Sequence, residues 1–226
     1  MPHSVKAQLV VDVICVHSYL GYTRFARAAD QVRAEGIEVA VEFLPFELAP
    51  GASTEGQPLL AVLEQTFGPQ AVDGALAFAE RAAREGLRLE YGKAIATGTF
   101  EAHRLIADAA LQNKGEPMAE RLFRAHFTDG LHIGDPTTLA HLAAEVGVAT
   151  GSDSATLARP AAEVGVATGS VPSAVVRARL DRVRRLGITG VPVFLIEGLP
   201  PFTGSQSETT LLAALRQAAA MKGEHP

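Results

Sequence analysis

The sequence holds one cysteine, Cys15, within the run Cys15-Val16-His17-Ser18. A single thiol cannot close an intrachain disulfide, so a disulfide scaffold and a cysteine-rich zinc site are both excluded. What a lone thiol can do depends on where it stands. Residues 8–15 alternate through Val10, Val11 and Val13 as a strand does, and the spacing then turns helical through Leu20, Phe25, Ala28, Ala29 and Val32. Cys15 is therefore expected where a strand ends and a helix begins, facing unpaired backbone N–H groups and the positive end of the helix dipole. Thiolate is favoured at such a place, and the thiol pKa is expected to fall from ~8.5 toward neutrality. His17, if protonated, adds to this, and Ser18 can cap the helix and donate to the sulfur. A buried, inert cysteine closing a strand is the competing reading; the strand-to-helix placement favours the reactive thiol.

Other side chains offer less. Thr189-Gly190-Val191-Pro192 leads into an apolar run, Val191 to Ile196, and a proline opening a strand belongs at an edge or a turn. An ordinary trans turn proline explains it; a cis bond would instead leave the Val191 backbone exposed. His103 stands between Glu101 and Arg104 on a helical stretch, either in a pocket wall or on the surface, and its spacing favours the surface. His126, His132 and His141 show no ligand spacing, so no metal site is expected. No glycine-rich phosphate loop follows a strand, and no GxSxG elbow occurs.

The elements that must position Cys15 follow from periodicity. A first strand, a helix stopped near Gly36, and a second strand over residues 37–43 open the chain as a β-α-β unit. From Gln57 to about Arg185 the spacing is almost entirely helical, broken at Gly68-Pro69, Gly86, Gly98, Gly115, Gly130 and Asp135-Pro136. Strand character returns over residues 191–196 and near Phe202, and a last helix runs from about Glu208 to Met221. This is an α/β chain with the thioredoxin-like layout and an inserted all-helical subdomain. The thioredoxin-like domain is expected at 1–50 and 186–226, and the insertion at 51–185. Its length of 226 residues suits one core plus such an insertion. The segment AAEVGVATGS occurs at 143–152 and again at 161–170, which reads as a local tandem duplication lengthening a loop or helix turn.

Charge narrows the partners. With 20 Lys+Arg against 25 Asp+Glu the net charge is −5, and no basic stretch is interleaved with aromatics, so nucleic acid is not an expected partner. No apolar run reaches the ~18 residues of a membrane span. Asp12 interrupts the apolar N-terminal stretch and no cleavage site follows, so no secretory signal is read and the cytoplasm is the expected location. A small-molecule substrate is the expected partner, and a homodimer is left open.

Several segments in order resemble one family: VDVICVHSYLG around Cys15, FLPFELAP after the second strand, GTFEAHRL and LFRAHFTDGLHIGD in the insertion, GITGVPVFLIEG, and FTGSQSETTL. Together they resemble the DsbA superfamily, and within it the FrnE-like branch of cytoplasmic proteins associated with polyketide pathways and stress responses. The resemblance implies a thioredoxin fold with a helical insertion, Cys15 as nucleophile, Pro192 as a cis-proline, and a substrate cleft to which Val191, Pro192, His103 and Phe46 contribute. The chain departs from that family's CxxC pattern, since Ser18 stands where the resolving cysteine would be. A dithiol enzyme frees itself from a mixed disulfide by attack of its second thiolate. A serine hydroxyl cannot do this, so a dithiol oxidase mechanism is ruled out.

Relatives of the superfamily, the kappa-class glutathione transferases and the 2-hydroxychromene-2-carboxylate isomerases, use serine in place of the first cysteine and act on small molecules with glutathione. This chain keeps that cysteine and lies between the two groups. Three activities are therefore expected to compete. In the first, Cys15 adds reversibly to a conjugated double bond and catalyses cis-trans isomerisation. In the second, Cys15 exchanges disulfides and an external thiol, glutathione or mycothiol, resolves the adduct. The third is a non-catalytic binding protein. No tightly bound cofactor is expected in any of them.

Overall fold

The computed structural model describes residues 4–149 and 171–223. In chain order its elements begin with β1 (Ser4–Val11), α1 (Val16–Ala34), β2 (Glu38–Pro45), β3 (Gln57–Pro58), α2 (Leu59–Phe67), α3 (Pro69–Ala83), β4 (Ile95–Ala96) and α4 (Phe100–Ala110). There follow α5 (Gly115–Arg124), a π-helical turn (Ala125–Asp129), α6 (Pro136–Val146), α7 (Ser173–Arg185), β5 (Val193–Ile196), β6 (Phe202–Thr203) and α8 (Glu208–Gly223). They form two compact units, Met1–Leu48 with Arg177–Pro226, and Ala49–Val176.

The first unit is built on a four-stranded sheet of order β2-β1-β5-β6. β1 and β2 run parallel, with Val10 opposite Leu44, as a strand-helix-strand crossover requires. β5 lies antiparallel to β1, with Val193 opposite Val10, and β6 is antiparallel to β5. Side chains alternate across the sheet, so its two faces have different covers. Val5, Ala7, Leu9 and Val11 are buried on the face packed by α1 and α8. There Phe25 of α1 stacks on Phe194 of β5, with ring centroids 5.8 Å apart, and Tyr22 meets Phe43 edge-on at 5.4 Å. On the other face Val10, Leu44 and Val193 close a smaller cluster with Val183 of α7.

The thioredoxin-like reading with a helical insertion holds, and the local details sharpen it. β1 stops at Val11 rather than running on to Cys15. The N–H of Phe46 donates to the Val11 carbonyl at 3.0 Å, and the chain then turns so that the Cys15 N–H donates to the Asp12 carbonyl at 3.0 Å. Gly36, at φ 84°, takes the left-handed conformation that lets the chain leave α1 and enter β2. In α1 itself, a Cβ at Gly21 would stand 2.9 Å from Pro192 Cγ, so glycine is what allows α1 to approach that proline.

Among its described residues, the regular structure of the second unit is helical apart from one short antiparallel pairing of β3 with β4. Each strand of this pair is two residues long, too short to show alternation in a window of sequence, which is why it is not legible beforehand. The break at Asp135-Pro136 is a helix start: the Asp135 carboxylate accepts the Thr138 N–H at 2.7 Å and the proline occupies the first turn. Arg121 of α5, nearly buried, ties the π-helical turn and α6 together through Asp129 at 2.9 Å and Glu145 at 2.6 Å. Of the 18-residue repeat, the first copy starts in the last turn of α6; its final residues and the whole second copy lie outside the described residues. Among the described residues no helix is long and apolar enough to cross a membrane.

Candidate active site around Cys15

Cys15 is the residue that starts α1. Its backbone is extended, at φ −92° and ψ 114°, and its carbonyl accepts the Tyr19 N–H at 3.0 Å. Ser18 does not cap the helix, contrary to the expectation from sequence, because Cys15 itself occupies that position. The Ser18 side chain, fully buried in the first turn, accepts the Asp12 N–H at 3.4 Å and also hydrogen-bonds the Cys15 sulfur. His17, the next residue toward solvent, is exposed.

The tertiary fold brings a second segment to the sulfur. The Val191–Pro192 bond is cis, and the Cys15 Sγ donates to the Val191 carbonyl at 3.8 Å. The Pro192 carbonyl is taken by the Gly204 N–H at 2.8 Å, which joins the loop to the residue just past the end of β6. Phe46, half-buried, packs with Val191 against the small cluster that contains Val10 and Val193. Cys15, Ser18, Val191, Pro192 and Phe46 thus belong to one end of one sheet.

His103 does not share that description. It is buried in α4 of the second unit, at 4% exposure, rather than on the surface as its spacing suggested. A short helix whose inner face takes Ala102, Leu105, Ile106 and Ala109 has room for a histidine on the same face. Among the described residues no group of three or more His, Cys, Asp or Glu could hold a metal ion.

Sequence reasoning overlooked Asp12 as part of the site. It is fully buried, its Oδ2 accepts the Leu48 N–H at 2.7 Å, and its carbonyl holds the Cys15 N–H. The signal was present as a carboxylate in an otherwise apolar run. Burying a carboxylate costs several kcal/mol unless it is hydrogen-bonded, so an acid in that setting marks a residue with work to do on its neighbours. Here it pins the segment after β2 to the turn that carries the thiol.

The protonation state of Cys15 corrects the expectation of a lowered pKa. Burial pushes the thiol above its ordinary value, and the negative charge of Asp12 adds to this in the same direction. The Ser18 hydroxyl and the N–H groups of Ser18 and His17 act the other way, favouring thiolate, but do not overcome desolvation at 7% exposure. A helix start favours an anion only insofar as the anion keeps its solvation. The resting protein therefore holds a neutral thiol aimed at a carbonyl. Alkylation by iodoacetamide followed against pH should show a midpoint above that of a free cysteine; a midpoint at or below the free value would contradict this site.

Comparison with known proteins places the geometry in context. The family model described as DSBA-like thioredoxin domain matches residues 8–216. A probable DsbA oxidoreductase from Streptomyces coelicolor is 29% identical with a TM-score of 0.78, over 98% of this chain and 92% of that one. A 2-hydroxychromene-2-carboxylate isomerase shares the fold at 12% identity and a TM-score of 0.65, over 98% and 99% of the two chains. The cytosolic disulfide reductase DsbM from Pseudomonas aeruginosa, in a structure with GSH, shares it at 22% identity and a TM-score of 0.54, over 96% and 97%. With one family match spanning the sheet, the insertion and the Cys15 turn alike, this chain belongs to the DsbA-like thioredoxin domain family.

Proposed function

We propose that the protein is a single-cysteine enzyme of the FrnE-like kind, in which Cys15 adds reversibly to a small conjugated carbonyl compound and catalyses its cis-trans isomerisation. The observation that carries this reading is a lone thiol set against the Val191 carbonyl at the cis-proline loop, with a buried serine where a resolving cysteine would stand. Its raised pKa counts against the reading, since it leaves little thiolate at rest. The sulfur lone pair forms a C–S bond at the β-carbon, the π pair moves to the carbonyl oxygen, and the thiol proton passes to that oxygen to give an enol. Rotation about the new single bond is followed by return of the proton and expulsion of Cys15 as thiol. No electrons leave the system, so no oxidant is needed and a second thiol has no part to play. Because the attacking species is the thiolate, the Ser18 hydroxyl and the N–H groups of Ser18 and His17 would stabilise the sulfur as its proton leaves.

The readout is interconversion of cis and trans conjugated ketones by pure protein under excess reductant. Turnover is expected in the wild type, and Cys15→Ala should reduce it to the uncatalysed rate. Equal rates in the two proteins would sink the isomerase reading.

A second reading, exchange resolved by glutathione or mycothiol in the cytoplasm, draws support from the Val191 carbonyl beside the sulfur. Backbone there can pair with an extended, thiol-bearing peptide, and the fold is shared with a reductase crystallised with GSH. In that case Cys15 would attack a disulfide, release one thiol, and be freed by thiolate attack on the mixed disulfide. Incubation with oxidised glutathione separates the two: rapid glutathionylation of Cys15 with turnover by added thiol belongs to exchange alone.

A further inference from the structure

On the sheet face opposite α1 and α8, the apolar surface continues past what α7 covers. Val193 is buried there, but Ile188, Val191 and Leu195 around it are only partly so. Beside them lies a cavity of about 590 Å³ running from the end of α7 to β6, within the roughly 300–1,000 Å³ typical of small-molecule sites. Its wall is unusual for a chain in which 20% of residues are charged, because none of the twelve residues lining it carries a charge. The only polar side chains are the hydroxyls of Thr189 and Thr203. Three of the lining residues are Gly187, Gly190 and Gly204, and a Cβ at any of them would meet nothing within 4 Å. The room is thus left by missing side chains beside a neutral, apolar wall. Val191, whose carbonyl faces Cys15, is part of that wall, while Cys15 is not.

We infer that this cavity is a binding site for an uncharged, largely apolar small molecule bearing one or two hydrogen-bonding groups, with Thr189 and Thr203 as its polar contacts. The inference rests on the proposed isomerase reading in one respect: there, the cavity receives the apolar body of the conjugated substrate whose reactive end reaches Cys15 past Val191. A neutral wall accepts such a body without desolvating a charge. It does not suit glutathione, whose carboxylates and ammonium would be stripped of water with no opposite charge to meet.

The test uses N-phenyl-1-naphthylamine, a neutral flat fluorophore that brightens on leaving water. Saturable binding to the full chain at one site is expected, and Thr203→Trp, which fills the cavity from its exposed rim on β6, should weaken it about tenfold or more. Leu195→Glu sets a carboxylate against the same wall and should weaken it by charge instead of bulk, so the result does not hang on one variant folding. Cys15→Ser should leave the affinity unchanged, which separates this site from the chemistry at the thiol. If probe binding is lost in both variants while the wild type shows no isomerisation, the site stands and the isomerase reading falls. Unchanged affinity in either variant, shown folded by circular dichroism, overturns the inference, as does displacement of the probe by millimolar glutathione.

Discussion

On the isomerase reading, Ser18→Cys should make Cys15-dependent turnover reversibly sensitive to disulfide-forming oxidant. The change restores a CxxC spacing at a helix start, the arrangement in which paired thiols form a disulfide readily. The new sulfur would lie where the Ser18 hydroxyl now hydrogen-bonds Cys15, fully buried, so the partner is already in place. Under oxidant both free thiols should disappear together without dimer formation, and Cys15-dependent turnover should fall to the level of Cys15→Ala. Dithiothreitol should restore it. The oxidised variant should also gain what the wild type lacks by covalent chemistry, the capacity to oxidise an added dithiol. If the disulfide forms and isomerisation continues regardless, Cys15 is not the nucleophile, and both the isomerase and the exchange readings are wrong.

The largest effect on stability is expected at Phe194. It is fully buried, stacks on Phe25 of α1, and stands two residues beyond the cis-proline. Phe194→Ala removes that stack and leaves a cavity between the active-site helix and the strand that carries Pro192. Core phenylalanine-to-alanine changes cost about 3–5 kcal/mol, and denaturant unfolding should show the midpoint falling with little change in slope. A loss below about 1 kcal/mol would mean that the sheet does not hold α1 through this contact. Because the same residue braces both segments that meet at the sulfur, the folded fraction of the variant should also show altered Cys15 alkylation.

Much of the architecture could be read from periodicity because the segments involved are long and one-sided. α1 announces itself through Leu20, Phe25, Ala28, Ala29 and Val32, all buried in the structure, and the alternation after Gly36 is β2. Both signals come from faces packed against a core, where a misplaced polar residue is costly. Short features left no comparable trace. The β3 and β4 pairing spans two residues on each strand, and the turn over Asp12 to Ile14 is apolar enough to pass for more strand. His103 was misplaced to the surface for a related reason: its polar neighbours Glu101 and Arg104 are adjacent in sequence, but on a helix adjacent residues face different ways.

Covalent facts about the site belong to the sequence by itself. One thiol, with serine three residues on, excludes an internal disulfide whatever the fold, since no packing can create a sulfur. The thioredoxin-like order of elements is likewise written along the chain. The state of that thiol is not, because a pKa reports solvation, and solvation is set by whatever the fold lays over the group. The Val191 carbonyl that meets Cys15 comes from 176 residues further along the chain, and the buried Asp12 carboxylate acts through a loop closed by Leu48. Tertiary structure decided that Cys15 is nearly buried and neutral rather than exposed and ionised. It also decided that an uncharged cavity opens beside the cis-proline, because the two short runs that line it, residues 186–195 and 201–204, acquire a common wall only when β5 and β6 pair.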